Sequence, residues 1–107
     1  PVAEVVPGIT MHVLGGHSLG SSVVTLETPG APTAVFWADV LPTAAHVHPA
    51  WIMAFDEDQV HSFEVRSEWI ARAADEGWIG LLYHDLHLPF GAIHRQRDGR
   101  FSFDPLA

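Results

Sequence analysis

The sequence predicts an α/β fold in which short apolar strands form a sheet flanked by one main amphipathic helix. Three observations lead there. Apolar runs closed by Gly, Pro or Asp recur at Ile9 to Leu14, Ser22 to Thr28, Ala34 to Ala38 and Trp78 to Tyr83, the pattern of strands punctuated by turns. Between the last two runs, Val60, Phe63, Ser67, Ile70 and Ala74 recur at three- and four-residue steps, the period of a helix. Apolar residues make up 48% of the 107 and charged residues 17%, a balance that argues for one folded domain over residues 1–107 and against disorder.

Pro7-Gly8 is a turn signal, and the first run ends at Gly15-Gly16 with His17 following. The second run is β-branched and alternating, with Val24 and Leu26 on one face and Val23, Thr25 and Glu27 on the other. Pro29-Gly30-Ala31-Pro32 makes the next turn, and the continuous apolar third run, suited to a buried strand, exits at Asp39. Leu41 to Phe55 carries Pro42, His46, His48 and Pro49 without a sustained period and reads as an ordered loop. The spacing predicts a helix over about Asp58 to Glu76, packing Val60, Phe63, Ile70 and Ala74 on the sheet, with Glu64, Arg66, Glu68 and Arg72 elsewhere on the wheel. Asp56 is placed to cap it, with Gln59 three residues on, and Gly77 fits the C′ position. After the Trp78 to Tyr83 strand and His84-Asp85, a short strand near Ala92 to Gln96, an Asp98-Gly99 turn and Phe101 to Phe103 resemble a closing hairpin.

Acidic residues outnumber basic ones 13 to 5 for a net charge of −8, which disfavours a nucleic-acid partner. No apolar run approaches the roughly 20 residues of a membrane span, and Pro1-Val2-Ala3-Glu4 lacks the pattern of a signal peptide. A cytoplasmic protein with no membrane contact is expected. The chain begins at Pro1 and runs at once into Glu4-Val5-Val6-Pro7, which reads as the interior of a longer protein. With no Cys and eight His, the strong metal ligands available are imidazole and carboxylate.

His17, Asp39 and His84 each follow an apolar strand, so aligned strands would gather them along one rim of the sheet. Two imidazoles and a carboxylate suit Zn(II), or Fe(II) and Mn(II), and a pair of metals needs a bridging carboxylate of the Asp39 kind. Taken singly, each has a plain structural reading: a turn histidine, a turn or capping acid, a satisfied histidine at a strand end.

Gly16-His17-Ser18-Leu19-Gly20 resembles the Gly-His-Ser/Thr-x-Gly motif of the metallo-β-lactamase superfamily. Phe36-Trp37-Ala38-Asp39 stands in place of its Phe-x-Gly-Asp strand end, and Tyr83-His84-Asp85 in place of its last Gly-His-Asp, in the same order and spacing. The resemblance implies the C-terminal half of that family's αββα sandwich, with a mostly antiparallel or mixed sheet. It implies that His17 binds one metal, Asp39 bridges two and His84 binds the second, with two Zn2+ per intact site, or Fe or Mn in their place. It also shifts each of the three from its plain reading to ligand.

The family's His-x-His-x-Asp-His segment is not in this sequence, and His46-Val47-His48-Pro49 does not replace it, since it follows Asp39 and lacks the Asp-His continuation. The resemblance therefore implies a fragment of a hydrolase of small-molecule substrates, in which water activated by the metals attacks an ester, lactone or related bond. The missing N-terminal half, or a contact between copies of the chain, is expected to complete it. Pro49 to Asp56 resembles lactonase-like and general hydrolase branches more than antibiotic-degrading ones. Asp85 is a candidate to orient His84. The competing reading is a non-catalytic, acidic, His-rich module that binds a metal or a partner.

Overall fold

A computed structural model describes residues 1–106. Seven strands form one sheet in sequential order: β1 (Val2–Val6), β2 (Ile9–Val13), β3 (Ser22–Leu26), β4 (Ala34–Phe36), β5 (Ile79–Leu81), β6 (Phe90–Arg95) and β7 (Phe101–Pro105). Neighbours are antiparallel except β4 and β5, which run parallel with Val35 opposite Gly80. A parallel pair needs a crossover. Helix α1 (Gln59–Glu76) supplies it, preceded by a short 3-10 turn at Ala44–His46. This is the mixed α/β architecture expected, and among the described residues no helix is long and apolar enough to cross a membrane.

The strand periodicity carries into the packing. Val23, Thr25 and Val35 are buried, and with Ile93 and Phe103, paired across β6 and β7, they form the helix-side face. Gly80 keeps that face open for the largest core side chain, since a Cβ there would lie 2.7 Å from Trp37 Nε1 and 3.1 Å from Phe103. The opposite face has no helix, and Met11, Leu26 and Phe90 on it are exposed.

One strand is additional and two expectations need correction. Strand β1 was not legible, because its residues are exposed throughout and show no alternation; pairing with β2 holds it. The helix spans nearly the expected residues but buries a different arc. Ser62, Val65, Arg66, Trp69, Ile70 and Ala73 face inward, whereas Val60 and Phe63 are 72% and 46% exposed. Ile70 is fully buried as expected and Ala74 packs at the margin of the core. The arc rotates because Trp69, stacked edge-on against Trp78, and Arg66 both go inside. The cap also differs: Asp58 is the N-cap and accepts from the His61 amide, while Gly77 takes the left-handed C-terminal position as expected.

Arg66 enters the core because the loop after β4 neutralises the cost of burying it. Its guanidinium donates to the carbonyls of Val40, His46, His48 and Pro49. Burial pulls its pKa down to about 10, so it stays charged at neutral pH. The loop from Val40 to Pro49 is thus wrapped around one cation, and the order expected of it has this physical source.

Ala38 adopts φ 49°, the left-handed region that costs a residue with a Cβ roughly 1–2 kcal/mol. Glycine there would remove that cost and lose part of it to unfolded-chain entropy. Ala38→Gly is expected to raise unfolding stability by about 0.5–1 kcal/mol, read from the denaturant midpoint at unchanged slope.

Candidate metal centre

β2 and β4 both run antiparallel to β3, and β4 runs parallel to β5. The C-terminal ends of β2, β4 and β5 therefore share one rim. The residues just beyond them are His17, Asp39 and His84, and their side chains meet. His84 Nε2 lies 3.1 Å from Asp39 Oδ1, and His17 Nε2 lies 3.4 Å from Asp39 Oδ2. Each oxygen of one carboxylate faces one imidazole.

The loop carrying His17 is seated on the start of α1. The Asp58 amide donates to the Gly16 carbonyl at 2.9 Å and the Glu57 amide to the His17 carbonyl at 3.1 Å. Gly16 has φ 91°, and a Cβ on it would stand 2.7 Å from Ser62 Oγ and 2.9 Å from Ser62 Cα. Glycine is required here on both counts.

Behind His17 stands Asp56, whose side chain is only 4% exposed. Its Oδ1 lies 2.8 Å from His17 Nδ1, and its Oδ2 accepts from Ser62 Oγ at 2.7 Å. An ionised carboxylate can only accept, so in the neutral imidazole the closer contact puts the proton on Nδ1, toward Asp56 at 2.8 Å, and leaves the lone pair on Nε2, 3.4 Å from Asp39. This is the arrangement that fixes the tautomer of a metal-binding histidine. The expectation that Asp56 caps the helix is corrected here. The sequence held no signal for its role, because the two partners are 39 residues apart.

Tyr83 also reaches the centre, its Oη donating to Asp39 Oδ1 at 2.6 Å. That bond raises the phenol pKa to about 12, with burial a smaller cause. Asp85 does not orient His84. Its carboxylate accepts instead from the backbone amides of Ala44 (2.9 Å), His87 (3.0 Å) and Leu88 (2.8 Å), which ties the loop after β4 to the loop after β5. Four of the six other histidines are engaged elsewhere: His46 with Thr43 Oγ1, His48 with the Ala50 amide, His12 with Thr25 Oγ1 and His61 with the Leu14 carbonyl.

The donor chemistry fits metal binding in part. Two ligands about 2.0–2.2 Å from one ion lie roughly 3–3.5 Å apart, the range of both the His84–Asp39 and the His17–Asp39 separations. Among the described residues, however, no group of three or more His, Cys, Asp or Glu side chains could by itself hold a metal ion. The three residues form two donor pairs sharing Asp39, and each pair needs further ligands.

No family profile and no curated protein matches the chain. Solved structures do. A probable metal-dependent hydrolase from Staphylococcus aureus is 33% identical, with a TM-score of 0.83 over 96% of this chain and 36% of that one. AidC, a dizinc quorum-quenching lactonase in complex with a product, is 19% identical with a TM-score of 0.82, over 98% of this chain and 36% of that one. The hydrolase AbOPH of the β-lactamase superfamily is 20% identical with a TM-score of 0.84, over the same shares. The likeness to the latter two is one of fold. The chain thus has the fold of part of the metallo-β-lactamase-superfamily hydrolases and spans a little over a third of the length of each of these relatives.

Two outcomes are expected. Nitrogen NMR is expected to find the neutral His17 imidazole in its Nδ1-protonated tautomer, and Asp56→Ala to mix the tautomers. Asp85 is held below the usual carboxylate range, first by the Ala44 amide and then by that of Leu88. Its contribution to stability is present above the unfolded-state value and lost as pH falls through the lower folded-state value. Asp85→Asn is accordingly expected to destabilise the chain at pH 7, with the difference from wild type closing below about pH 4 in thermal unfolding.

Proposed function

We propose that the chain carries part of the dinuclear metal site of a hydrolase, with His17 as ligand to one metal, Asp39 as the bridge and His84 as ligand to the other. The observation that carries this is the carboxylate of Asp39, presenting one oxygen to each imidazole at 3.4 and 3.1 Å. Zinc is the metal we favour, on the donor set of imidazole and carboxylate without thiolate and on the dizinc lactonase among the proteins of like fold. Bound there, the metals would supply Lewis acidity and water ionised near neutral pH.

The chain's own residues have the following parts in this reading. Asp56 keeps the His17 proton on Nδ1, so that Nε2 is available as a donor at all. Asp39 brings negative charge between the two ligand positions and so holds two cations close together. Arg66 and Asp85 fix the loops on either side through backbone groups, so that Asp39 and His84 meet without rearrangement. The substrates proposed are small molecules with an ester, lactone or related bond, by analogy with the lactonase of like fold and as fold-level reasoning. The ligands beyond these three come from a segment outside residues 1–107 or from a second copy.

The 107-residue chain alone is expected to bind Zn(II) or Co(II) weakly, and His17→Ala, Asp39→Ala and His84→Ala each to weaken it further in calorimetric titration. Loaded with Zn(II) or Mn(II), it is expected to stay near background on lactone, ester and phosphodiester substrates, because each metal position has only two of its donors. Metal binding indifferent to all three alanine variants would overturn the assignment. Metal-dependent turnover lost in His17→Ala would instead mean that the chain completes the site by itself or by self-association.

A further inference from the structure

Tyr83 occupies the position at which the resembling motif has glycine, and it touches two of the three proposed ligands at once. Its hydroxyl donates to Asp39 Oδ1 at 2.6 Å. Its ring lies tilted against the His84 imidazole, with centroids 4.0 Å apart, and against Phe36 at 5.4 Å. The side chain is 50% exposed, so core packing does not account for it.

A carboxylate has about four lone-pair sites, two on each oxygen. At Asp39, Oδ2 faces His17 and Oδ1 faces both Tyr83 and His84. With the phenol on one lone pair of Oδ1, the carboxylate cannot rotate freely about its last bond, and the other lone pair stays on the His84 side. The holders of the site are then divided between its two ends. Asp56 and Ser62 orient His17, while the bond to Asp39 and the ring against His84 both come from Tyr83.

We propose that Tyr83 is a positioning residue of the metal centre, which fixes the Asp39 carboxylate through its hydroxyl and the His84 imidazole through its ring, two tasks that the motif's glycine leaves undone. This rests on the metal reading of His17, Asp39 and His84.

The test is a Co(II) titration of the 107-residue chain, followed by visible absorption and calorimetry, with Tyr83→Phe and Tyr83→Gly beside His84→Ala. Loss of a hydrogen-bonded partner of a metal ligand typically costs about 10–100-fold in affinity. Tyr83→Phe is expected to fall near the lower end, about tenfold, with an unchanged thermal midpoint, because only an exposed hydroxyl is removed. Tyr83→Gly is expected to weaken Co(II) binding further, since the ring is lost as well. In an Asp39→Asn background, Tyr83→Phe is expected to add nothing, which a merely structural tyrosine would not predict. Unchanged or tighter Co(II) binding by Tyr83→Phe, while His84→Ala still weakens it, would overturn the role of Tyr83 and leave the metal reading standing. No Co(II) binding by the wild-type chain, or binding unaffected by His84→Ala, would overturn both.

Discussion

The parallel pairing of β4 with β5 is the constraint on which the rest of the molecule depends. Antiparallel neighbours place consecutive strand ends on opposite rims, so a sheet of hairpins alone would put Asp39 and His84 on different sides. One parallel step restores the alignment and requires a crossover. Helix α1 supplies that crossover, and the two residues leading into it, Glu57 and Asp58, meet the Gly16-His17 loop through backbone bonds. The same helix thus aligns two of the strand ends and seats the loop of the third.

Within that frame, two buried or backbone-bound charges set the loops. Among the described residues Arg66 donates only to carbonyls of the loop after β4, and Asp85 accepts only from amides, one of them Ala44 in the same loop. A buried cation left without partners would be costly. Here the loop closes around it and gains its order from that closure. Asp39 sits immediately before this segment and immediately after Ala38, whose left-handed φ turns the chain out of β4. The strand end, the turn and the wrapped loop form one mechanical unit.

The sheet is unevenly covered. Its helix side is packed with Val23, Val35, Trp37, Ile93 and Phe103 around α1, while Met11, Leu26 and Phe90 stand exposed on the other side. An apolar face of that kind is characteristic of a surface that meets another layer. It agrees with a chain that spans a little over a third of the hydrolases whose fold it shares.

The sequence by itself determined the elements that depend on local pattern. The apolar runs of β2 to β7, the span of α1 and its Gly77 terminus are periodic or punctuated, and local sterics enforce them. The order of His17, Asp39 and His84 behind three such runs was legible too, together with the motifs around them. Tertiary structure alone decided which partners these residues meet. Asp56 turned from a helix cap into the partner of His17, Asp85 from a neighbour of His84 into a backbone clamp, and Arg66 from the outer wheel into the core. Each of these three is a polar group whose placement depends on where distant backbone and side chains can satisfy it. Apolar periodicity reports only that a face is buried, whereas the partner of a buried charge lies wherever the chain returns, and that is a property of the fold.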